Sequence, residues 1–260
     1  MKRLEASTLR RILIVIALVA ATFVLTRNYA FADLRATAWF GMDGEQELAP
    51  IYNRYGPNRY SRNVEEWIIR DYFADRRDGV FLDVGANHYR DESNTYYLET
   101  QLGWSGVAID ALEEFAADYR THRPRTHFFA LFVSDVADST AKIYVPEENK
   151  LVASTNLEFT KREAGAPGAV KDVPTTTLNA ILDKVGLTRI DFLSMDIELS
   201  EPPALAGFDI ERFRPDLICI EAHPEVRQQI LDYFAQHRYT VVGKYIRADP
   251  KNLYFKPLSR

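Results

Sequence analysis

The stretch Gly79-Val80-Phe81-Leu82-Asp83-Val84-Gly85-Ala86-Asn87 decides the fold of this 260-residue chain. Its first half is a short apolar run, which is typical of a strand buried inside a parallel sheet. The run ends in an acidic residue and a glycine. Glycine permits a tight turn and lets the backbone approach a ligand closely. The stretch therefore predicts a central strand whose carboxyl end faces a binding site.

Strand and helix patterns alternate on both sides of this stretch. We expect further strands over 107–109, 128–133, 141–145, 190–195 and 217–222, helices over 64–73, 95–102, 112–122, 178–185 and 226–237, and a closing antiparallel pair over 239–242 and 252–255. Residues 146–173 are polar and contain Gly and Pro, so we interpret them as a variable loop. The alternation predicts an α/β domain with a doubly wound, mostly parallel sheet.

Polar residues stand where the predicted strands end, which is where doubly wound sheets bind their ligands. Asp110 follows Asp83 by 27 residues, and an acidic side chain there can accept hydrogen bonds from both ribose hydroxyls of a nucleoside. No G-x-G-x-x-G motif follows the first strand, which argues against a nicotinamide-dependent dehydrogenase. The candidate site residues are Asp83, Gly85, Asn87, Asp110, Ser134, Asp135, Asp196, Glu198 and His223.

Composition excludes several classes of protein. An apolar content of 47% and a charged content of 27% are those of a globular chain, which excludes general disorder. The net charge is −5, but residues 1–35 hold six basic and two acidic residues, so the remainder carries −9. An acidic body argues against a nucleic-acid partner. The single cysteine, Cys219, excludes an internal disulfide and a cysteine-based zinc site.

The N-terminus carries an apolar segment that leaves two alternatives open. Residues 12–25 are apolar except for Thr22, and Arg10 and Arg11 precede them. Extended to residue 32, the segment approaches the length of a single-pass membrane anchor. It also has the form of a secretory signal, with cleavage near Ala32. We therefore divide the chain into an anchor or signal (1–32), a connector (33–63) and the main domain (64–260).

Five short motifs follow one another along the chain in a characteristic order and spacing. They are 79–87, Ser93-Asn94-Thr95-Tyr96-Tyr97-Leu98-Glu99, Gly103-Trp104-Ser105-Gly106, Asp191-Phe192-Leu193-Ser194-Met195-Asp196-Ile197-Glu198, and Arg214-Pro215 leading to Glu221. In these motifs the chain, from about residue 64 to residue 256, resembles the FkbM-type S-adenosylmethionine-dependent methyltransferases. The resemblance implies the seven-stranded, Rossmann-like sheet of class I methyltransferases.

The resemblance also implies an activity, a cofactor and roles for the candidate residues. Asp83, Gly85 and Asn87 would contact the methionine end of S-adenosylmethionine, Asp110 its ribose, and Ser134 and Asp135 its adenine. Asp196 and Glu198 would line the reacting centre, where one of them or His223 orients or deprotonates a hydroxyl. That hydroxyl would belong to a glycan, a lipid-linked sugar or a natural product. The pair Asp196 and Glu198 alone is weak evidence for an ion, so we predict no metal.

Three positions depart from the family's pattern. Tyr89 and Leu199 stand where the family has glycine, and Ala111 replaces a proline. Larger residues adopt positive φ angles poorly and admit a ligand less closely. A second hypothesis therefore stays open, in which the domain has lost catalysis and acts as a membrane-associated binding module.

Overall fold

The computed structural model describes residues 44–259, so the predicted anchor or signal lies outside the described residues. Within that range the helices are α1 (Gly44–Tyr55), α2 (Glu65–Phe73), α3 (Tyr96–Leu102), α4 (Ala116–His122), α5 (Leu157–Ala164), α6 (Leu178–Val185), α7 (Glu201–Ala206), α8 (Ile210–Phe213) and α9 (Arg227–Gln236). The strands are β1 (Val80–Val84), β2 (Ser105–Asp110), β3 (Thr126–Ala130), β4 (Phe132–Val133), β5 (Thr140–Val145), β6 (Ala169–Thr176), β7 (Phe192–Met195), β8 (Leu217–Glu221), β9 (Tyr239–Val241) and β10 (Asn252–Pro257). No helix among these residues is both long enough and apolar enough to cross a bilayer.

The main sheet confirms the predicted architecture. Its seven strands lie in the order β3-β2-β1-β7-β8-β10-β9. Neighbours from β3 to β8 pair in parallel, and β10 runs antiparallel to both β8 and β9, which confirms the closing antiparallel pair. Leu82 in the central strand pairs with Val107 on one side and Leu193 on the other, and all three are fully buried. The sheet is apolar on both faces because helices cover both.

Each face of the sheet has its own apolar layer. Helix α6 packs Leu178, Ile181 and Leu182 against one face. Helix α2 packs Ile68 and Ile69 against the other, where Trp104 and Phe192 are also buried. Burying side chains of this size stabilises a fold by about 1.5–3 kcal/mol each. These two layers hold the strand ends rigidly at one edge of the sheet.

The third predicted strand, 128–133, is wrong as a single element. The polypeptide pairs with β2 as far as Leu131, whose N–H donates to the Asp110 carbonyl at 2.9 Å. Three residues later the N–H of Ser134 donates to the Thr176 carbonyl at 2.9 Å. Residues 132–133 therefore pair with β6, in a second sheet of order β4-β6-β5.

The second sheet also corrects two neighbouring predictions. The strand expected over 141–145 pairs with β6 and not with the main sheet. Residues 146–173, interpreted as a loop, contain helix α5 and the first half of β6. Asn156 caps α5 by accepting from the N–H of Phe159 at 3.0 Å. The segment is thus a structured insertion beside the strand ends.

Helix α1 lies in the segment that we assigned to the connector. Its Ile51 is buried with Trp67 and Ile68 of helix α2. The ring of Tyr52 meets that of Trp67 edge-on, with 5.5 Å between centroids. These contacts make residues 44–55 part of the packed unit that begins at Gly44.

Candidate active site

Gly85 brings the turns after β1 and β7 into contact. It has a φ of +81°, and its N–H donates to the Ile109 carbonyl at 2.9 Å. A side chain here would overlap the backbone carbonyl oxygen of Asp196. Glycine is therefore required twice, for the left-handed backbone and for the close approach of the two turns.

Asp110, at the end of β2, is held in place by the neighbouring backbone. Its carboxylate accepts from the N–H of Asn87 at 3.0 Å and from the N–H of Leu112 at 2.8 Å. Removal from water raises the pKa of Asp110 to about 6, although these two N–H groups act to lower it. The arrangement leaves lone pairs of both oxygens available to a ligand.

A cleft opens beside Asp110. Its far wall is apolar and comes from β2, the 131–133 segment and the second sheet. The wall residues are Ile109, Leu112, Phe115, Leu131, Phe132, Val133 and Ile143. The cleft thus joins a carboxylate to an apolar slot, which suits a ribose attached to a flat aromatic base. Ser134 and Asp135 are not on its wall; their side chains hydrogen-bond to each other at 3.0 Å.

Asp83 faces a second, more polar cleft. The hydroxyl of Thr95 donates to its carboxylate at 2.7 Å, and burial raises the pKa of Asp83. Nearby, the amide of Asn94 donates to the hydroxyl of Ser194 at 3.0 Å. Both clefts are lined by Gly85, Asn87, Leu151, Asp196 and Glu198, so they meet over the turn after β1.

An acidic cluster stands at the ends of β7 and β8, in the second cleft. His223 Nε2 lies 3.2 Å from Glu198 Oε2 and 2.9 Å from Glu221 Oε2. Removal from water, and then the charges of Asp196 and Glu221, raise the pKa of Glu198 to about 10. The structure therefore brings together Asp196, Glu198 and His223, the three predicted catalytic residues, and adds Glu221 to them.

The turn after β7 is conformationally unusual. Glu198 has a φ of +52° and Leu199 a φ of +76°. Side-chain hydrogen bonds hold the turn: the hydroxyl of Ser154 donates to the Glu198 carbonyl at 2.7 Å, and Glu201 accepts from the N–H of Ile197 at 3.0 Å. Left-handed backbone costs non-glycine residues about 1–2 kcal/mol each and persists where surrounding contacts impose it. The turn directs Glu198 into the cleft.

Comparison with known sequences decides the family. The methyltransferase FkbM domain matches residues 83–241, more than half of the chain. The chain belongs to this family. The cofactor of this FkbM domain is S-adenosylmethionine, and the two joined clefts, one apolar beyond Asp110 and one polar beyond Asp83, fit its adenosyl and methionine ends. No curated protein matches the chain.

Solved structures with a similar fold are methyltransferases of low sequence identity. A TehB-like SAM-dependent methyltransferase from Corynebacterium glutamicum is 13% identical, with 82% of this chain and 96% of that chain covered and a TM-score of 0.43. The 1,6-didemethyltoxoflavin-N1-methyltransferase of Burkholderia thailandensis, solved with S-adenosylhomocysteine, is 15% identical, with 75% and 77% covered and a TM-score of 0.37.

The two glycine replacements do not crowd the site of this FkbM domain. Tyr89 turns away from both clefts and stacks on His122, with 4.6 Å between ring centroids. Leu199 packs against the main apolar core and also lines neither cleft. Leu199 does have the positive φ for which glycine is suited. The replacement of glycine by leucine therefore strains the backbone but takes no room from the clefts.

Sequence patterns missed several wall residues of the FkbM domain. Glu201, behind the wall, lies beside Asp196 and Glu221, but it stands between two predicted strands where the sequence predicted no element. Lys150, Leu151 and Ser154 reach the clefts from the segment that we interpreted as a loop. The capping motif at Asn156 is the one local signal that could have revealed ordered structure there.

Proposed function

We propose that this FkbM domain transfers the methyl group of S-adenosylmethionine to a hydroxyl of a small polar acceptor, such as a glycan, a lipid-linked sugar or a natural product. The observation that carries the proposal is the meeting of the two clefts over Gly85 and Asn87, with Asp196 and Glu198 on the wall of both. One cleft combines a carboxylate with an apolar slot and suits the adenosyl group. The other is larger and lined mostly by polar side chains, and it suits the methionine end of the cofactor together with a hydroxylated acceptor.

The polar cleft has the groups that an acceptor hydroxyl requires. When bound, S-adenosylmethionine supplies an electrophilic methyl group on its sulfonium. His223, whose Nε2 lies 3.2 Å from Glu198 Oε2, is placed to receive the proton of the hydroxyl, and Glu198, which its raised pKa keeps protonated, is placed to orient that hydroxyl. Gly85 and Asn87 position the adjoining backbone, and such positioning supplies a large part of the rate of bimolecular transfers.

The test is methyl transfer from labelled S-adenosylmethionine to a panel of free sugars, lipid-linked sugars and hydroxylated natural products. We expect His223→Gln to lower turnover by about 10²-fold or more, because general acid–base groups contribute that much. The affinity for S-adenosylhomocysteine should not change. The matched control is His237→Gln, which alters a histidine that pairs with Glu211 at the surface.

Calorimetry with S-adenosylhomocysteine separates the two hypotheses about this domain. The methyltransferase proposal expects binding that depends on Asp110. A folded protein that binds no cofactor at millimolar concentration would instead support the binding-module hypothesis. The open cleft over Asp110, which neither Tyr89 nor Leu199 enters, favours cofactor binding.

We also propose that residues 12–32 attach the protein to a membrane. Support comes from the apolar run over 12–25 and the basic Arg10 and Arg11 before it, which favour a cytoplasmic N-terminus. Phosphatase and β-galactosidase fusions at the C-terminus would report the side that the domain occupies. N-terminal sequencing of the mature protein would support a cleaved signal if the chain began just after Ala32.

A further inference from the structure

We propose that Glu198, Glu221 and His223 bind a divalent cation of the Mn²⁺ class, with Asp196 and Glu201 extending the negative charge behind it. The cation would lie in the polar cleft, where it would contact the acceptor hydroxyl. The role of the ion in methyl transfer rests on the proposed function. The binding of the ion does not, and it can be tested separately.

The geometry of the three side chains matches one coordination sphere. His223 Nε2 lies 2.9 Å from Glu221 Oε2 and 3.2 Å from Glu198 Oε2. Octahedral ions with metal–ligand distances near 2.1 Å place adjacent ligand atoms about 3 Å apart. The ring nitrogen therefore stands at the separation from each carboxylate oxygen that a single ion would impose, and all three atoms lie within 4.8 Å of one another.

Two buried oxygens in this cluster receive no hydrogen bond from the described residues, Glu201 Oε2 and Glu221 Oε2. Glu221 Oε2 lies 2.9 Å from His223 Nε2 but outside hydrogen-bond geometry, because that ring nitrogen is hydrogen-bonded to Glu198. Both side chains are more than nine-tenths buried, with exposures of 0% and 7%. Glu221 is a member of both groups that could hold an ion, the first with Glu198 and His223 and the second with Asp196 and Glu201. A buried carboxylate oxygen without a partner is costly, and a bound cation would compensate that cost.

Buried carboxylates elsewhere lie beside a guanidinium or have several hydrogen-bond donors. Glu66 Oε1, which receives no hydrogen bond, lies 3.6 Å from the guanidinium of Arg70. Glu99 accepts from Arg123, from the N–H of Arg125 and from the hydroxyl of Thr126. Asp249 accepts from the amide of Asn252 and the hydroxyl of Tyr254. Glu99 and Asp249 have structural roles and several donors each.

The acids after β7 and β8 differ in this respect. Among the described residues, the basic side chain that pairs with Glu198 and Glu221 is His223. Four carboxylates, those of Asp196, Glu198, Glu201 and Glu221, lie in two overlapping groups here. Lys251 also lines the cleft and its charge acts on Glu221, and Glu201 accepts from the N–H of Ile197. The negative charge of the four acids still exceeds the positive charge beside them, which points to an external cation.

The ligand types narrow the choice of ion. Carboxylate oxygens suit Mg²⁺, Ca²⁺ and Mn²⁺, whereas an imidazole favours transition metals over the first two. No thiol is near, since Cys219 is buried inside β8. We therefore expect Mn²⁺ to bind more tightly than Mg²⁺ or Ca²⁺. With an ion bound, His223 Nε2 would be a ligand and not a base. The ion, as a Lewis acid, would lower the pKa of an acceptor hydroxyl that contacts it, so that solvent could take the proton.

The experiment is a titration of the full-length protein with Mn²⁺ alone, in which electron paramagnetic resonance measures the free hexaaqua ion. We expect one Mn²⁺ per chain, and Glu221→Gln should weaken its binding at least tenfold. The matched control is Glu211→Gln, in which a single Glu–His pair at the surface is altered. It should leave the affinity unchanged. Glu198→Gln, at a more exposed position, replaces Glu221→Gln if that variant does not fold.

The outcomes separate this inference from the proposed function. Absence of Mn²⁺ binding to the folded protein at millimolar concentration overturns the inference, as does binding that neither cluster variant weakens. Mn²⁺ binding without any S-adenosylhomocysteine binding upholds the inference and overturns the proposed function. If methyl transfer continues unchanged in the presence of a chelator and the protein binds no Mn²⁺, the proposed function is upheld and the inference is overturned.

Discussion

At the scale of single residues, Gly85 is the point on which the site depends. Its φ of +81° and its contact with the Asp196 carbonyl exclude any side chain. Gly186, which ends helix α6, has a similar φ of +72° but open space around it. Substitution of Gly186 therefore measures the cost of backbone strain alone, whereas substitution of Gly85 adds the cost of steric overlap with Asp196.

We predict that Gly85→Ala abolishes cofactor binding and lowers the free energy of unfolding by about 3 kcal/mol or more, since strain and overlap add. Gly186→Ala should cost about 1–2 kcal/mol from strain alone and leave binding intact. Urea denaturation and calorimetry with S-adenosylhomocysteine measure both effects. Equal effects of the two substitutions would show that the contact with Asp196 is unimportant.

Asp110 makes cofactor affinity depend on pH. The pKa of Asp110 is raised to about 6, mainly because the carboxylate is removed from water. The negative charges of Asp83 and Glu114 also oppose its ionisation. The ionised form accepts the ribose hydroxyls, so affinity should rise with pH through 6 and level off above 7. At pH 5 only about a tenth of Asp110 is ionised, so the Kd for S-adenosylhomocysteine should be about tenfold higher than at pH 7.5.

The control for this pH effect is Asp110→Asn. It should bind more weakly at pH 7.5 and show a flat profile between pH 5 and 7.5. A profile that keeps the same slope in Asp110→Asn would assign the titration to another group.

At the scale of elements, Arg123 joins the end of helix α4 to helix α3 and to the site. Its fully buried guanidinium pairs with Glu99 and donates to the Tyr89 carbonyl at 2.9 Å. It also donates to the hydroxyl of Thr95 at 3.1 Å, and Thr95 in turn donates to Asp83. One buried cation thus connects two helices to the first strand end.

We predict that Arg123→Leu lowers the free energy of unfolding by about 3–5 kcal/mol, because it leaves the buried Glu99 charge unpaired. The double variant with Glu99→Leu should be more stable than Arg123→Leu alone, since the unpaired charge is removed. Arg212→Leu, which removes a surface pair with Asp183, should cost less than about 1 kcal/mol. Urea denaturation of the four proteins measures these differences. A double variant no more stable than Arg123→Leu would exclude the unpaired charge as the cause.

The elements also show how far the sequence could predict this fold. The strands of the main sheet were found because burial on both faces makes them continuous apolar runs, as in Leu217–Glu221. The second sheet was missed because its strand Ala169–Thr176 is mostly exposed and carries no such run. After Leu131 the chain pairs with β6, and the N–H of Ser134 donates to the Thr176 carbonyl; a local pattern cannot report so distant a partner.

The candidate site follows the same rule. Asp83, Gly85, Asp110 and Asp196 were found because each stands at the end of a strand, a position that can be read along the chain. Ser134 and Asp135 were assigned to the adenine from the end of a strand that is in fact divided, and they lie off the cleft wall. Glu201 was missed because its approach to Glu221 arises from packing between distant segments.

At the scale of the whole molecule, the described chain forms one compact unit that begins at Gly44. Helix α1 belongs to this unit through Ile51, which is buried at 8% exposure, and through Tyr55, whose hydroxyl donates to the Arg70 carbonyl at 3.1 Å. Helix α1 therefore covers one apolar layer of the sheet and does not merely lead into it.

We predict that a fragment of residues 44–260 folds and binds S-adenosylhomocysteine, whereas a fragment of 57–260 is less stable by about 3 kcal/mol. Losing helix α1 exposes Trp67 and removes the burial of Ile51, which alone is worth about 1.5–3 kcal/mol. Within 44–260, Ile51→Ala should reproduce most of this loss, and Tyr52→Ala, at a side chain with 45% exposure, only a small part. Urea denaturation of the four proteins provides the comparison. Equal stability of the two fragments would mean that the apolar layer on helix α2 is complete without helix α1, so that residues 44–55 serve only as a connector.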